Sequence, residues 1–223
     1  MKACIQRRTY RILLLVSMAG PAAFWIILII AGLLKPAFDP VKQSLSDLAL
    51  GPYGWLQRAN LVLLGLIIAC LGLALRVELG KGKRNNLILV IFGAMAVGQV
   101  ISGFFQADNP TATSMSVHAI IHQVGASAPA LGFPICAWLL WPVFKRHPEW
   151  QGMEIFDLVL GTVIFLLDAF REVLLPTHWL DPWFGLFERI LILAIIIWAE
   201  AVAVRLWIIS SPGHENSGNK VSK

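Results

Sequence analysis

Residues 55–75 read WLQRANLVLLGLIIACLGLAL. A bilayer's hydrocarbon core is about 30 Å thick, and a helix rising about 1.5 Å per residue crosses it in about 20 predominantly apolar residues. This stretch has that length, and its polar groups are confined to the first six positions. It reads as a membrane-spanning helix. Five further stretches read the same way: about Ile12–Leu34, Leu87–Ala107, Val117–Val143, Met153–Leu175 and Trp183–Ile209. Backbone polar groups in lipid must be satisfied within their own segment, so the spans are helical, and no period-two alternation suggests a barrel. The expected fold is all-α, a polytopic bundle of six transmembrane helices. Residues 1–11 form a cytoplasmic N-terminus, 12–209 the transmembrane domain and 210–223 a disordered cytoplasmic tail.

Composition agrees. Hydrophobic residues make up 57% of the 223 positions and charged residues 14%, against roughly 25% charged in soluble domains. Three cysteines exclude a disulfide framework, and Cys70 and Cys136 read as small hydrophobes inside apolar runs. The net charge of +5 does not point to nucleic acid, because the basic residues are spread over short loops. They are topology signals. Lys2, Arg7, Arg8 and Arg11 precede the first span; Arg76, Lys81, Lys83 and Arg84 follow the second; Lys145 and Arg146 follow the fourth. The third loop has no Lys or Arg. The positive-inside rule then places both termini in the cytoplasm of a cell-membrane protein, with the lipid bilayer as its first partner. The first apolar run is too long for a signal peptide and reads as a retained helix, bent near Gly20-Pro21. Trp55, Trp138, Trp141, Trp150, Trp179 and Trp183 sit near span ends, where indoles anchor at the interface.

Ionisable groups inside a membrane are costly unless paired or wet, so each marks a candidate site. Most here lie at the outward ends of the spans. Ser44, Ser46 and Asp47 precede the second span, and Gln57, Arg58 and Asn60 open it; Gln57 and Asn60 share a helix face. Asp108 ends the third span, and Ser114 or Ser116 can cap the fourth helix. His118 and His122, four apart, project from one face. That spacing suits two ligands of one divalent metal such as zinc, with Asp108 as third ligand or proton acceptor. The competing reading is a pair of interfacial histidines bonded to Asp108 or Asp47. Asp168 and Arg171 are spaced for an intrahelical ion pair. Glu188 and Arg189 are adjacent, point about 100° apart, and each needs a partner from elsewhere in the chain. For Arg189 the expected partner is a carboxylate or an ordered polar group from another helix, with Asp47, Asp108 and Asp168 the first candidates. Glu200 lies near mid-span, with Gln99 or Ser102 as expected partners, and Ala94, Gly98 and Ser102 form a small-residue stripe for close helix packing.

Taken in order, S-L-S-D-L at Ser44–Leu48, G-x-x-x-x-D at Gly103–Asp108, His118, and G-L-F-E-R at Gly185–Arg189 carry a resemblance. From about Pro40 to Arg205 the chain resembles the mostly prokaryotic six-helix membrane proteins grouped as domain of unknown function 998. The resemblance implies the fold and the polar cluster but no reaction. A more distant similarity is to membrane metal hydrolases of the alkaline ceramidase and progestin-receptor-like type, which hold zinc with Ser, Asp and His from several helices. Ser46, Asp47, Asp108, His118 and His122 are what this chain offers to that pattern. It lacks a seventh span and paired histidines in its last helix.

Two functions follow. The first is an enzyme acting from the outer leaflet on a lipid or an anionic small molecule, as a metal-dependent hydrolase or a head-group-binding enzyme. Asp47, Asp108 and His118 would then be catalytic, and Ser46, Arg58, Asn60, Arg171, Glu188 and Arg189 would contact the ligand. The second is a non-enzymatic carrier, sensor or partner subunit, with Asp168 and Glu200 on a proton path. Both require one outward-facing cavity, expected to be lined by Asp108, His118 and either Asp47 or Arg189, with His122 one turn deeper.

Overall fold

The computed structural model describes residues 2–109 and 114–211 of the chain, with side chains from Arg7 onward. Six helices account for most of it: α1 (Lys2–Leu34), α2 (Gly54–Leu79), α3 (Lys83–Phe104), α4 (Val117–Phe144), α5 (Met153–Leu174) and α6 (Phe184–Ile209). No strand occurs among the described residues. The expectation of a disordered tail falls mainly on residues 212–223, outside the described ones.

Five of the six helices, all but α5, are long and apolar enough to cross a membrane. α5 matches α3 in length, at 22 residues. What separates it is Glu154, Asp157, Asp168, Arg171 and Glu172. The buried positions of α5 are Asp157, Gly161, Ile164, Asp168 and Arg171, one stripe at helical spacing. Ile155, Val159, Val163, Leu166, Phe170 and Val173 face outward. This helix is inverted relative to a soluble amphipathic helix, with charge inside and hydrocarbon outside.

The helices close into a ring. Each packs on its chain neighbour except that the turn from α6 closes back on α1, and α6 also reaches across to α2 and α4. Trp198 of α6 lies at the centre, fully buried. Its ring packs 5.2 Å from Phe133 and 6.3 Å from Phe92, and its Nε1–H donates to Asp157 at 2.7 Å. That bond ties α5 to the core and gives the indole N–H the partner it needs when buried. Cys136 is fully buried among apolar side chains, as its sequence context implied. α1 runs unbroken through Pro21. Trp150, expected at the interface, is buried and stacked on Phe144 at 4.0 Å. Of the other five, Trp55, Trp138, Trp179 and Trp183 are exposed and Trp141 is half-buried.

The small-residue stripe of α3 does pack closely. A Cβ on Gly98 would lie 2.8 Å from the Gly125 carbonyl oxygen, and one on Gly125 would lie 2.6 Å from Ser102 Oγ. The α3 and α4 backbones therefore touch, and this contact positions the polar residues at one end of the bundle. That end, opposite the N-terminus, carries the α1–α2, α3–α4 and α5–α6 connections and is called distal here.

Candidate functional site

The site begins with the segment between α1 and α2. Asp39 Oδ1 accepts the Val41 N–H at 2.9 Å, and Asp47 Oδ2 accepts the Ser44 N–H at 2.9 Å while Ser44 Oγ accepts the Asp47 N–H at 3.0 Å. Lys35 donates to the Asp47 carbonyl. These local bonds, habitual for Ser and Asp in turns, fold the segment into a plug. Leu45, Leu48 and Ala49 are its buried side. Asp47 is thus spent on shaping its own loop.

The plug is pinned to α6. Glu188 Oε2 accepts the Leu45 N–H at 2.6 Å; Arg189 Nη1 donates to the Gln43 carbonyl at 3.1 Å and to the Gly185 carbonyl at 2.7 Å. Val41 accepts the Leu186 N–H at 2.9 Å. Gly185 permits this approach, because a Cβ there would lie 2.7 Å from the Pro40 carbonyl oxygen and would strike that of Gln43. Glu188 and Arg189 feel each other's charge, but their hydrogen bonds go to separate partners, as their adjacency implied. Arg189's direct contacts are these ordered carbonyl oxygens and the Phe38 ring at 5.5 Å, while the carboxylates of Glu188, Asp39 and Asp47 act on it through charge.

A second pin reaches α4. Ser46 Oγ lies 2.8 Å from His122 Nε2. His122 is 1% exposed, and its Nδ1 lies 3.0 Å from the Ser102 carbonyl and 2.9 Å from that of Phe105. α3 ends at Phe104, and the last carbonyls of a helix have no intrahelical partner. The imidazole caps them. Both Nδ1 partners are acceptors, so Nδ1 carries the proton and Nε2 presents its lone pair. The Ser46 O–H therefore donates to His122.

His118 sits one turn nearer the end of the bundle, exposed and against Phe105, with ring centroids 5.3 Å apart. Asp108 accepts both the N–H and the O–H of Ser116 at 2.6 Å. Ser116 in turn caps α4 by accepting the Ala119 N–H at 3.1 Å. These bonds, chiefly the one from the Ser116 hydroxyl, hold the Asp108 carboxyl below the usual carboxylate range. This geometry does not bring the expected metal set to a common point. His122 has committed both nitrogens, His118 turns outward and Asp108 is engaged by Ser116. Among the described residues no group of three or more His, Cys, Asp or Glu could hold a metal ion. His178, in the α5–α6 connection, makes an exposed contact with Asp181 at 3.1 Å.

The cavity that forms differs from the expected one. A narrow cavity with a largely apolar lining lies inside the bundle below the plug. Its polar lining is Ser46, Gln99, Arg171 and Glu188; Asp108, His118 and Arg189 are not part of it. The remaining walls are apolar. They include Leu61, Leu64 and Leu71 of α2, Ala126, Pro129 and Ala130 of α4, and Leu191, Ile195 and Ala199 of α6. The lining of α6 runs from Glu188 to Ala199, a depth of about 16 Å at about 1.5 Å per residue. Small residues and prolines on α4 leave the space open. Pro129 cannot donate to the Gly125 carbonyl, and Gln99 Nε2 does so instead at 3.3 Å.

Arg171 enters from α5. Its Nη2 contacts Asp168 at 2.8 Å, the expected pair, and Glu172 at 2.7 Å. Its side chain is 8% exposed, and its Nε has no hydrogen-bond partner. Arg58 is half-buried and lines no wall of this cavity. Asn60 is fully buried, donating to the Phe24 carbonyl of α1 at 3.1 Å and to Gln57 at 3.3 Å, so it joins helices rather than facing the cavity. Gln99 and Ser102 are bonded to α4 backbone, which leaves neither as the partner once expected for Glu200.

The family model described as "Protein of unknown function (DUF998)" matches residues 18–205. The chain belongs to this family. The DUF998 match spans all six helices except the first part of α1 and the end of α6, and so contains the plug, the cavity and the Ser46–His122 contact. No curated protein and no solved structure is similar enough to count as a match. The protein is a DUF998 membrane protein with several spanning helices.

Sequence reasoning missed three features. Gln99 had been considered only as a partner for Glu200, yet Pro129 four residues after Gly125 was a readable sign of an orphaned carbonyl. Asp157 was passed over, although a carboxylate in an apolar run is a signal in itself. The Ser46–His122 contact joins residues 76 apart and had no local signature.

Proposed function

We propose that this DUF998 protein receives one chain of an uncharged amphiphile in its interior cavity, with the polar head under the distal plug. The single observation that carries this reading is the cavity's polarity gradient. Ser46, Arg171 and Glu188 lie at the plug end with Gln99 about a turn deeper, and the lining beyond them is apolar; from Glu188 to Ala199 it spans about 16 Å, roughly half of a bilayer core of about 30 Å. That is the depth of one leaflet. α5 serves as the sixth span in this reading, since its charged stripe faces the bundle and its outward face is apolar. The basic loops then set the distal end on the outer side of a cell membrane.

The head-group class follows from charge. Arg171 is the cation of the cavity, and Asp168, Glu172 and Glu188 surround it. Nη2, shared by both bidentate edges of the guanidinium, is already occupied. An anionic head would meet more negative than positive charge. The unpartnered Nε–H suits the carbonyl oxygen of an ester or amide.

The test is equilibrium binding of a pyrene-labelled monoalkyl glycerol ether to purified protein in detergent. Saturable binding is expected, with at least a tenfold loss in Ala130→Phe, whose ring would fill the cavity. The same chain with a phosphate head should bind about tenfold more weakly. Equal binding by wild type and a folded Ala130→Phe variant would overturn the reading.

A further inference from the structure

We infer that Ser46 is a nucleophile, that His122 is its general base, and that the protein cleaves acyl esters of the amphiphile class it binds. This inference rests on the proposed chain-binding cavity. Four observations support it. Ser46 Oγ and His122 Nε2 are 2.8 Å apart, within the reach that nucleophile and base require. His122 Nδ1 is fixed by the Ser102 and Phe105 carbonyls, which do for this ring what a carboxylate does in a Ser-His-Asp triad: they select the tautomer and hold the orientation. Ser46 itself lines the apolar cavity at its polar end. And Arg171, nine-tenths buried, lines the same cavity, a cation on the wall that Ser46 shares, where negative charge on a reacting oxygen is favoured.

His122 stands between two spaces. Beyond it, on the α3–α4 side, an open groove is lined by Asp108, Asn109, Ser114, Gln123 and His122. The Ser46–His122 contact thus joins a greasy cavity on the serine side to an aqueous groove on the histidine side. The acyl chain enters by one and water by the other.

The chemistry balances with water as the second reactant. Ser46 Oγ bonds to the ester carbonyl carbon while His122 Nε2 takes the hydroxyl proton. The tetrahedral adduct collapses, the bond from carbon to the alcohol oxygen breaks, and His122 returns the proton to the departing alcohol. Water then attacks the Ser46 ester, giving one proton to His122. The bond from carbon to Ser46 Oγ breaks, and Oγ recovers that proton. Ester and water become carboxylic acid and alcohol, with no net redox change.

The competing role for the contact is mechanical: a latch that holds the plug to α4. A fluorophosphonate with a long alkyl chain separates the two. Ser46 Oγ would attack phosphorus, fluoride would leave, and the proton would pass through His122 to solvent. Wild-type protein in detergent is treated with the probe and mapped by peptide mass spectrometry. The expected result is one adduct, the probe less HF, on the peptide containing Ser46. Ser46→Ala should give none. A folded His122→Gln variant should label at least about 100-fold more slowly, the usual scale of general-base assistance. Mapping the wild type requires no variant to fold. If wild type binds the alkyl glycerol ether but carries no adduct on Ser46, the hydrolytic inference falls and the binding reading stands. If neither binding nor labelling occurs, both fall. An adduct on another residue that persists in Ser46→Ala overturns the nucleophile assignment.

Discussion

Gly125→Ala is the sharpest perturbation of the scaffold beneath the site. The new Cβ would lie 2.6 Å from Ser102 Oγ and would strike the Gly98 carbonyl oxygen. Ordinary contacts between non-bonded heavy atoms fall near 3.5–4.0 Å, so α3 and α4 must part by about 1 Å. Two of the bonds across that seam hold His122: Ser102 Oγ to the His122 carbonyl at 2.9 Å and His122 Nδ1 to the Ser102 carbonyl at 3.0 Å. Losing both costs about 2 kcal/mol at about 1 kcal/mol each. Overpacking adds about 1–3 kcal/mol. The total is about 3–5 kcal/mol, which for a chain of this size lowers Tm by roughly 6–20 °C at about 2–4 °C per kcal/mol. Thermal unfolding in a fixed detergent, followed by tryptophan fluorescence, measures it. The control is Gly93→Ala on the neighbouring helix α3, where a Cβ meets nothing within 4 Å. It should be neutral or raise Tm slightly, because Ala is favoured over Gly by about 1 kcal/mol in a helix. If the two variants unfold within about 2 °C of each other, the close α3–α4 crossing is wrong, and with it the placement of His122.

Three further outcomes are expected. Asp168→Asn leaves the buried Arg171 with only the half-exposed Glu172, and removing one partner of a buried pair should cost about 3–5 kcal/mol in a thermal melt; a double change to Asp168→Leu with Arg171→Met should recover most of it. The carboxyl of Asp108 is held below its ordinary value of 3.8 by Ser116. Its contribution to the α4 cap is therefore present above that value and is lost as pH falls through the depressed folded one. Amide exchange at Ser116, corrected for intrinsic rates, should accelerate only in that acid window, and Asp108→Asn should remove the transition. With Cys4 replaced by Ser, a membrane-impermeant maleimide added to intact cells should label Lys42→Cys and leave Lys83→Cys untouched; the reverse pattern would invert the orientation.

The architecture was readable because hydropathy over about 20 residues answers to a single physical length. α5 shows where that signal weakens: five ionisable residues dilute its apolarity, and only packing reveals that the buried ones share a stripe. The distal clustering of polar groups was also legible, as was the Asp168–Arg171 pair, because helical spacing alone brings those side chains together. The composition of the cavity was not. The four-residue spacing of His118 and His122 correctly puts them on one face. One turn of depth, however, separates an exposed ring against Phe105 from a buried one under the end of α3. Ser46 reaches His122 only because the plug folds on Asp47 and Ser44 and is pinned by Glu188. Those contacts depend on how helices far apart in the chain pack, which no local pattern encodes.

The claim that the interior cavity holds an amphiphile chain is tested most directly by an experimental structure of the protein with the monoalkyl glycerol ether. The chain should be seen between α2, α4 and α6, running from Ser46 toward Ala199, with a head-group oxygen within hydrogen-bond distance of Arg171 Nε. Density for the ligand only on the outer surface of the helices, with the space between Leu64, Ala130 and Ile195 empty or filled by side chains, would contradict it.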